Sequence, residues 1–203
     1  MTRRLVLATR NAHKVTELQA ILAEAGLGPD LELVGADAYP EIPDVKETGV
    51  TFAENALLKA RALADATGLP AVADDSGLCV DVLGGAPGIF SARWAGRHGD
   101  DVANLDLLLA QLSDIDTPHR GAHFACAAAL ALPDGTVRVT EGRLTGTLRH
   151  TPAGSGGFGY DPILQPDTDT RTCAELSPEE KNAISHRGKA FRALAPQIAE
   201  LIG

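Results

Sequence analysis

The chain carries two adjacent carboxylates, Asp74 and Asp75, in a run that reads Asp-Asp-Ser-Gly over residues 74–77. Neighbouring carboxylates beside a buried strand are costly unless a cation lies close to them. Mg²⁺ prefers one or two carboxylates together with water and phosphate oxygens, so this run and Glu47 suit a metal site. One carboxylate could also orient a water for attack. The alternative is a plain acidic turn in which Gly77 has a positive φ, and the residues alone leave both interpretations open.

A second candidate is the run 9–14, Thr-Arg-Asn-Ala-His-Lys, which joins an apolar stretch to a helical pattern. Free N–H groups and the positive dipole end at a helix start favour an anion. Lys14 in the first helical turn opposes that dipole at a cost of about 0.3–1 kcal/mol, which a bound phosphate would reverse. Alternatively, Thr9 or Asn11 caps the helix and Lys14 pairs with Glu17.

Glycines and aromatic residues combine in a third candidate, where four glycines fall within residues 154–159. Only 4% of the chain is aromatic, yet Phe158 and Tyr160 lie in or beside this run. Glycine lets the backbone approach a ligand closely, and an aromatic ring can stack on a base. The alternative is that Phe158 fills the core where a hairpin ends.

Cations form the fourth candidate, with Lys181 followed by Ser-His-Arg-Gly-Lys over residues 185–189. Their donors suit the carbonyl oxygens and ring nitrogens of a purine, although a solvated basic face is the alternative. Asn55 and Lys59, four residues apart, share one face of a predicted helix, where Lys59 could reach a phosphate or the loop acids.

Composition excludes several classes of protein. The 203 residues suit one large domain or two small lobes. Lys and Arg number 18 against 27 Asp and Glu, and a net charge of −9 disfavours nucleic-acid binding.

The longest apolar run, 124–132, is far shorter than the roughly twenty residues of a membrane span, and the run behind Arg3 and Arg4 is too short for a signal peptide. Three scattered cysteines suggest buried residues in a reducing compartment. We therefore expect a cytoplasmic protein with no nucleic-acid or membrane partner.

The elements that position these candidates follow from apolar spacing and capping signals. Apolar runs predict strands at 5–8, 31–34, 71–73 and 78–82 and a long hairpin at 124–132 and 137–148. The run 74–77 is expected to turn the chain between two of these strands. Helices are predicted at 15–25, from Thr51 to Gly68, after Asp100, and in two segments after Ser177. The pattern predicts a mixed α/β fold.

Six blocks occur in an order that resembles the inosine triphosphate pyrophosphatase family. They are 5–9 with Asn11 and Lys14, 47–49 and 52–56 with 59–60, 73–78, 85–88 with 91–93, 157–162, and 185–188. The resemblance implies a mixed α/β fold with an elongated central sheet flanked by helices. Residues 1–203 would form a single bilobed domain with a nucleotide cleft between the lobes. It also implies Mg²⁺ dependence and a homodimer.

The resemblance implies roles for particular residues of this chain. Asp75 would bind the metal and accept a proton from water, with Glu47 as a second metal ligand and Ser76 touching substrate. The residues implied to hold the triphosphate are Thr9, Arg10, Asn11, Ala12, His13, Lys14 and Lys59. Those implied to bind the base are Phe158, Gly159, Tyr160, Asp161, Lys181, His186 and Arg187.

Water would attack the α-phosphate of ITP, dITP or XTP and release a nucleoside monophosphate and pyrophosphate. Two other functions stay open: a broad pyrophosphatase for other modified or ordinary nucleotides, and a nucleotide sensor without turnover. The sequence departs from the family pattern at Arg10, where many relatives carry a small residue, and at Lys46, where an acid is common.

Overall fold

The computed structural model of the chain describes residues 3–9, 12–27 and 31–202, except for the side chains of residues 12–14 and 17. The described residues form a mixed sheet with the strand order β2-β1-β3-β4-β5-β6. These strands are β1 (Arg3–Leu7), β2 (Leu31–Gly35), β3 (Ala71–Val80), β4 (Gly121–Ala131), β5 (Val137–Leu148) and β6 (Leu164–Pro166). The α-helices are α1 (Ala12–Glu24), α2 (Phe52–Thr67), α3 (Asp101–Gln111), α4 (Pro178–Ile184) and α5 (His186–Ile202).

Parallel and antiparallel pairs occur in the same sheet. β1 runs parallel to both β2 and β3, whereas β6 runs antiparallel to β5. This arrangement confirms the predicted mixed α/β fold.

Two compact units divide the chain. The first comprises Met1–Asp75, Cys126–Gly142 and Arg187–Gly203, and the second comprises Ser76–Ala125 and Arg143–His186. The four boundaries therefore fall within β3, between Asp75 and Ser76, within β4, within β5 and at the start of α5. That the two units form one bilobed domain with a nucleotide cleft stays a prediction.

Strand β4 shows how one strand serves two cores of the first unit. Successive side chains of a strand point to opposite faces of the sheet. Cys126 and Leu130 pack in a core with residues of α1 and α5, while the alternate residues Ala127 and Ala129 pack in a core with α2. The sheet of the first unit is thus covered on both faces. A separate core in the second unit joins β3, α3, β4 and β5 residues with Tyr160 and Ile163.

Local capping signals set the helix starts as predicted. Thr51 Oγ1 accepts a hydrogen bond from the Glu54 amide, and the Glu54 side chain accepts one from the Thr51 amide, which completes a capping box for α2. Ser177 and Glu180 form the same arrangement at α4. Asp100 caps α3 through the Ala103 amide. These bonds satisfy amides that a helix start otherwise leaves open.

The predicted turn at residues 74–77 is wrong, because β3 continues without interruption from Ala71 to Val80. Gly77 is not among the glycines with positive φ. A Cβ at Gly77 would lie 2.4 Å from the carbonyl oxygen of Gly88 and 2.5 Å from Ser91 Oγ. This glycine therefore allows close packing rather than a turn. The carboxylates can stay in the strand because both find partners there.

Within residues 3–9, 12–27 and 31–202, no helix combines the length and the hydropathy needed to cross a membrane. Cys126 and Cys173 are buried, as predicted, and Cys79 is half-buried.

Candidate active site

Four side chains from α2, β3 and the loop before α2 form an acidic cluster, which we define as Glu47, Asn55, Lys59 and Asp75. The Lys59 ammonium lies 3.1 Å from Glu47 Oε1 and 3.0 Å from Asp75 Oδ1. Asn55 Nδ2 donates to the second carboxylate oxygen of Asp75 at 3.3 Å. The structure thus brings together Glu47 and Asp75, the predicted metal ligands, and Lys59, a predicted phosphate contact.

Helical spacing and the loop before α2 position this cluster. Asn55 and Lys59 are four residues apart, so they lie on the same face of α2. Asn55 Oδ1 accepts the Gly49 amide at 2.8 Å, which ties the loop that carries Glu47 to the helix. Gly49 leaves no room for a side chain, because a Cβ would lie 2.6 Å from the Glu54 Cβ. The capping box fixes the start of α2, and Asn55 fixes the loop that carries Glu47.

Asn55 is a member of the site to which the sequence alone assigned no role. It is fully buried, and both ends of its amide are used. Its four-residue spacing from Lys59 was the available signal, but the two partners of its amide appear only in the folded chain. Asn55 can hold the Asp75 carboxylate in one orientation.

Burial and charge act in opposite directions on the acidic cluster. Burial raises the pKa of Asp75, an effect that the Lys59 ammonium and the Asn55 amide oppose and the Glu47 charge assists. Burial alone would lower the pKa of Lys59, but the carboxylates, Asp75 foremost, outweigh it, and the pKa of Lys59 is raised. A carboxylate with a raised pKa is a better proton acceptor, and the ammonium beside it stays charged.

Strand alternation separates Asp74 from Asp75. Asp75 lies on the face of β3 that carries Ala73 and packs towards α2, whereas Asp74 lies on the opposite face with Val72. There Asp74 Oδ2 accepts a hydrogen bond from Arg187 Nε at 3.1 Å, and both side chains are almost fully buried. Asp74 thus holds a residue that the sequence predicts to bind the base.

The acidic cluster fits the metal that the family resemblance implies. Glu47 and Asp75 direct carboxylate oxygens at one cationic group, so their oxygens converge on a position that already favours positive charge. Mg²⁺ takes few protein carboxylates and completes its shell with water and substrate oxygens. Among the described residues, no three or more His, Cys, Asp or Glu side chains are grouped as a metal cage.

In the second unit, residues 154–161 form a segment that we call the glycine loop. Phe158 is 62% exposed, which contradicts the alternative that it fills the core. The Phe158 amide donates to Asp161 Oδ2 at 2.8 Å, and Lys181 donates to the same carboxylate oxygen. The Lys181 ammonium also lies 5.1 Å from the centre of the Phe158 ring. The loop therefore presents an accessible aromatic ring beside a cation.

Tyr160 is placed differently from Phe158. Its side chain is buried, and its hydroxyl donates to the carbonyl oxygen of Ser91 at 2.9 Å. Burial, with the charge of Asp101 adding, raises the pKa of Tyr160. Its ring is not available for stacking on a ligand, so a substrate contact at this position would involve the backbone. His186 stacks on Phe124, with ring centres 5.0 Å apart.

The predicted site residues fall into both units. The first unit holds Thr9, Glu47, Lys59, Asp75 and Arg187, and the second holds Ser76, Phe158, Gly159, Tyr160, Asp161, Lys181 and His186. Thr9 is half-buried two residues after the end of β1, and Ser76 is half-buried in β3. The predictions for Arg10 and Asn11, and for the side chains of Ala12, His13 and Lys14, lie outside the described residues.

The fold defines an α/β protein, and a carboxylate held by an amide and an ammonium on a central strand can serve as a proton acceptor. The chain belongs to the Ham1 family, whose family model matches residues 5–197. It is 82% identical over 200 residues to the dITP/XTP pyrophosphatase of Streptomyces coelicolor, a match that covers 98% of this chain and 99% of the relative.

Solved structures agree with this assignment. The crystal structure of a nucleoside-triphosphatase, dITP/XTP pyrophosphatase, from Mycobacterium abscessus is 53% identical, with a TM-score of 0.79 over 95% of this chain and 99% of that one. The Ham1 protein of Staphylococcus aureus is 38% identical, with a TM-score of 0.88 over 98% of this chain and 99% of that one. These findings confirm the resemblance to inosine triphosphate pyrophosphatases, and membership of this family makes the chain an enzyme of the hydrolase class.

Proposed function

We propose that the protein hydrolyses ITP, dITP and XTP to the nucleoside monophosphate and pyrophosphate and so removes deaminated purine nucleotides from the nucleotide pool. The observation that carries this proposal is the acidic cluster, in which Asp75 is held by Asn55 and Lys59 beside Glu47. The names of the relatives supply the substrate class. Asp75 is the proton acceptor and Glu47 is the second metal ligand in this proposal.

The reaction needs a base, a held phosphate and a leaving group. Asp75 accepts a proton from a water whose oxygen attacks the α-phosphorus, and the bond from that phosphorus to the bridging oxygen breaks as pyrophosphate leaves. Asn55 and Lys59 bind the two oxygens of Asp75 and so hold the carboxylate in position for this transfer. Lys59 offers an ammonium to the phosphates, with Thr9 to Lys14 as the further phosphate contacts. Mg²⁺, held by Asp75 and Glu47, would neutralise phosphate charge when bound.

Base selection follows from donors beside an aromatic ring. In the proposal, Phe158 stacks on the purine. Lys181 and Arg187 donate hydrogen bonds to the carbonyl at C6 of hypoxanthine or xanthine. The further substrate contacts are Gly159, Tyr160, Asp161, His186 and Ser76. Adenine presents an amino group at that position, so its entry would leave donors unpaired. Each such mismatch costs on the order of 1–3 kcal/mol.

The finer properties follow from the resemblance and the composition. We expect Mg²⁺ as the cofactor and a homodimer, because the family resemblance implies both, and we expect a cytoplasmic location because the scattered cysteines suit a reducing compartment. A net charge of −9 supports the expectation that nucleic acid is not a partner, and we expect no membrane partner.

Product analysis with Mg²⁺ at mildly alkaline pH tests the proposal directly, with ITP, XTP, GTP, ATP and dUTP compared at equal concentration. We expect monophosphate and pyrophosphate, with ITP and XTP strongly preferred. Pyrophosphate release without purine preference would make the protein a broad nucleotide pyrophosphatase. Tight binding without product from any of the five would make it a nucleotide sensor.

A further inference from the structure

The glycine loop needs anchors from elsewhere in the chain. Gly154, Gly157 and Gly159 all have positive φ, a conformation in which residues with side chains are strained. Glycine also loses more conformational freedom on ordering than other residues do. A binding loop that must first be ordered loses affinity, whereas one that is already held in place does not. The position of the Phe158 ring therefore depends on what fixes this backbone.

One anchor comes from the first residue of α3, 58 positions earlier in the chain. The Gly159 amide donates to Asp101 Oδ2 at 2.9 Å. Asp101 and Gly159 both belong to the second unit. No residue role predicted from the sequence or implied by the family resemblance involves Asp101.

The Asp101 bond completes the fixation of Phe158. The peptide unit is planar, so only two soft dihedral angles orient each residue. The peptide before Phe158 is held through its amide by Asp161, and the peptide after Phe158 is held through the Gly159 amide by Asp101. Two carboxylates thus fix the backbone on both sides of one exposed ring.

A purely helical role explains Asp101 less well. An acidic residue in the first turn is favourable for the helix dipole. However, Asp100 already caps α3 through the Ala103 amide, and the Asp101 oxygen is within hydrogen-bond distance of a loop amide. A dipole effect requires the negative charge, whereas a bond to the Gly159 amide requires only an acceptor oxygen. An Asp-to-Asn exchange separates these two roles.

We propose that Asp101 is a positioning residue for nucleotide binding, because its bond to the Gly159 amide holds the Phe158 ring in place for the purine. The proposal rests on the function proposed above for Phe158. Asp101 acts through the loop backbone and contacts no reacting atom.

Steady-state kinetics with ITP and Mg²⁺ test this role in Asp101→Ala and Asp101→Asn. Loss of one hydrogen bond in Asp101→Ala should raise KM roughly three- to tenfold, with kcat little changed. Asp101→Asn keeps an acceptor oxygen and should restore KM to within about twofold of the unchanged protein. Asp106→Ala removes an exposed carboxylate from the same helix and serves as the matched control, with KM unchanged.

Two further measurements separate the outcomes. In a Phe158→Ala background, Asp101→Ala should add less than about twofold to KM, because the ring through which it acts is gone. Amide hydrogen exchange should be faster across residues 157–161 in Asp101→Ala and near normal in Asp101→Asn.

Equal kinetic losses in the Ala and Asn variants, or an unchanged KM in Asp101→Ala when Phe158→Ala raises it, would overturn the proposal. An unchanged KM in Phe158→Ala itself would instead refute the stacking function, and unchanged loop exchange would independently refute the anchor.

Discussion

In the proposed mechanism Asp75 is the proton acceptor, and its neighbours act on both its pKa and its orientation. Burial raises its pKa, Lys59 lies close enough to keep the ionised form present, and Asn55 holds the other oxygen. Asp74, one residue earlier, meets Arg187 instead, because strand side chains alternate between faces. Two carboxylates that look equivalent in the sequence therefore have separate tasks.

Replacement of Asp75 by Asn should slow hydrolysis by orders of magnitude while nucleotide binding largely survives. The amide has nearly the same shape but cannot accept the proton from water, so kcat should fall by about 10²–10⁴. Turnover of ITP and equilibrium binding of a nonhydrolysable ITP analogue measure the two effects. Asp65→Asn, an exposed change on α2, is the control. Normal turnover in Asp75→Asn would show that another group is the base.

Arg187→Ala should reduce the preference for ITP over ATP. In the proposed site its guanidinium donates to the C6 carbonyl, so its loss should weaken ITP more than ATP by roughly 1–3 kcal/mol, or about five- to 150-fold in the ratio of kcat/KM. Competing kinetics with the two nucleotides measure this ratio. Arg192→Ala, on the exposed side of α5, is the matched control. An equal loss for both nucleotides would contradict the role in selection.

The sequence predicts elements well where the deciding contacts are local. The capping boxes at Thr51 and Ser177 involve residues three positions apart, and they start the helices where expected. The turn predicted at residues 74–77 failed because the partners that stabilise the strand are distant, with Arg187 lying 113 positions from Asp74. The three residues of β6 are too few to show an alternating pattern.

Arg120 illustrates an element contact that supports the second unit. Its side chain is buried, and its guanidinium donates to the carbonyl oxygens of Leu112, Leu148 and Arg149 at 2.6, 2.9 and 3.1 Å. These carbonyls lie at the end of α3 and at the end of β5. One side chain thus satisfies backbone carbonyls at the ends of two elements. Burial lowers the pKa of Arg120.

Arg120→Met should destabilise the protein although it keeps a long apolar stem. The three carbonyl oxygens would lose their donors in a buried place, and each unsatisfied group costs about 1–3 kcal/mol. Chemical denaturation followed by circular dichroism measures the free energy of unfolding. Arg97→Met, at an exposed position, should change it by less than about 0.5 kcal/mol. Equal stability of the two variants would mean that water replaces the guanidinium at no cost.

At the scale of the whole molecule, some of the unit boundaries fall inside the candidate motifs. Two of the four boundaries, between Asp75 and Ser76 and between His186 and Arg187, fall within runs that the sequence analysis singled out. The sequence identified most residue types of the candidate site, because carboxylates, cations and glycines have recognisable chemistry. It could not assign Tyr160 to the core, because the bond to Ser91 joins residues 69 positions apart.

A nucleotide that binds only the folded chain must stabilise it by mass action. At one hundred times the dissociation constant this amounts to about 2.7 kcal/mol, or roughly 5–10 °C in Tm for a chain of this size. An ITP analogue with a methylene bridge between the α- and β-phosphates should give this shift with Mg²⁺ present. Glu47 and Asp75 repel the phosphates when no metal lies between them, so a chelator should abolish most of the shift. The matching ATP analogue should give a smaller shift at equal concentration. A full shift in the chelator would contradict Glu47 and Asp75 as metal ligands, and equal shifts for the two analogues would contradict selection at binding.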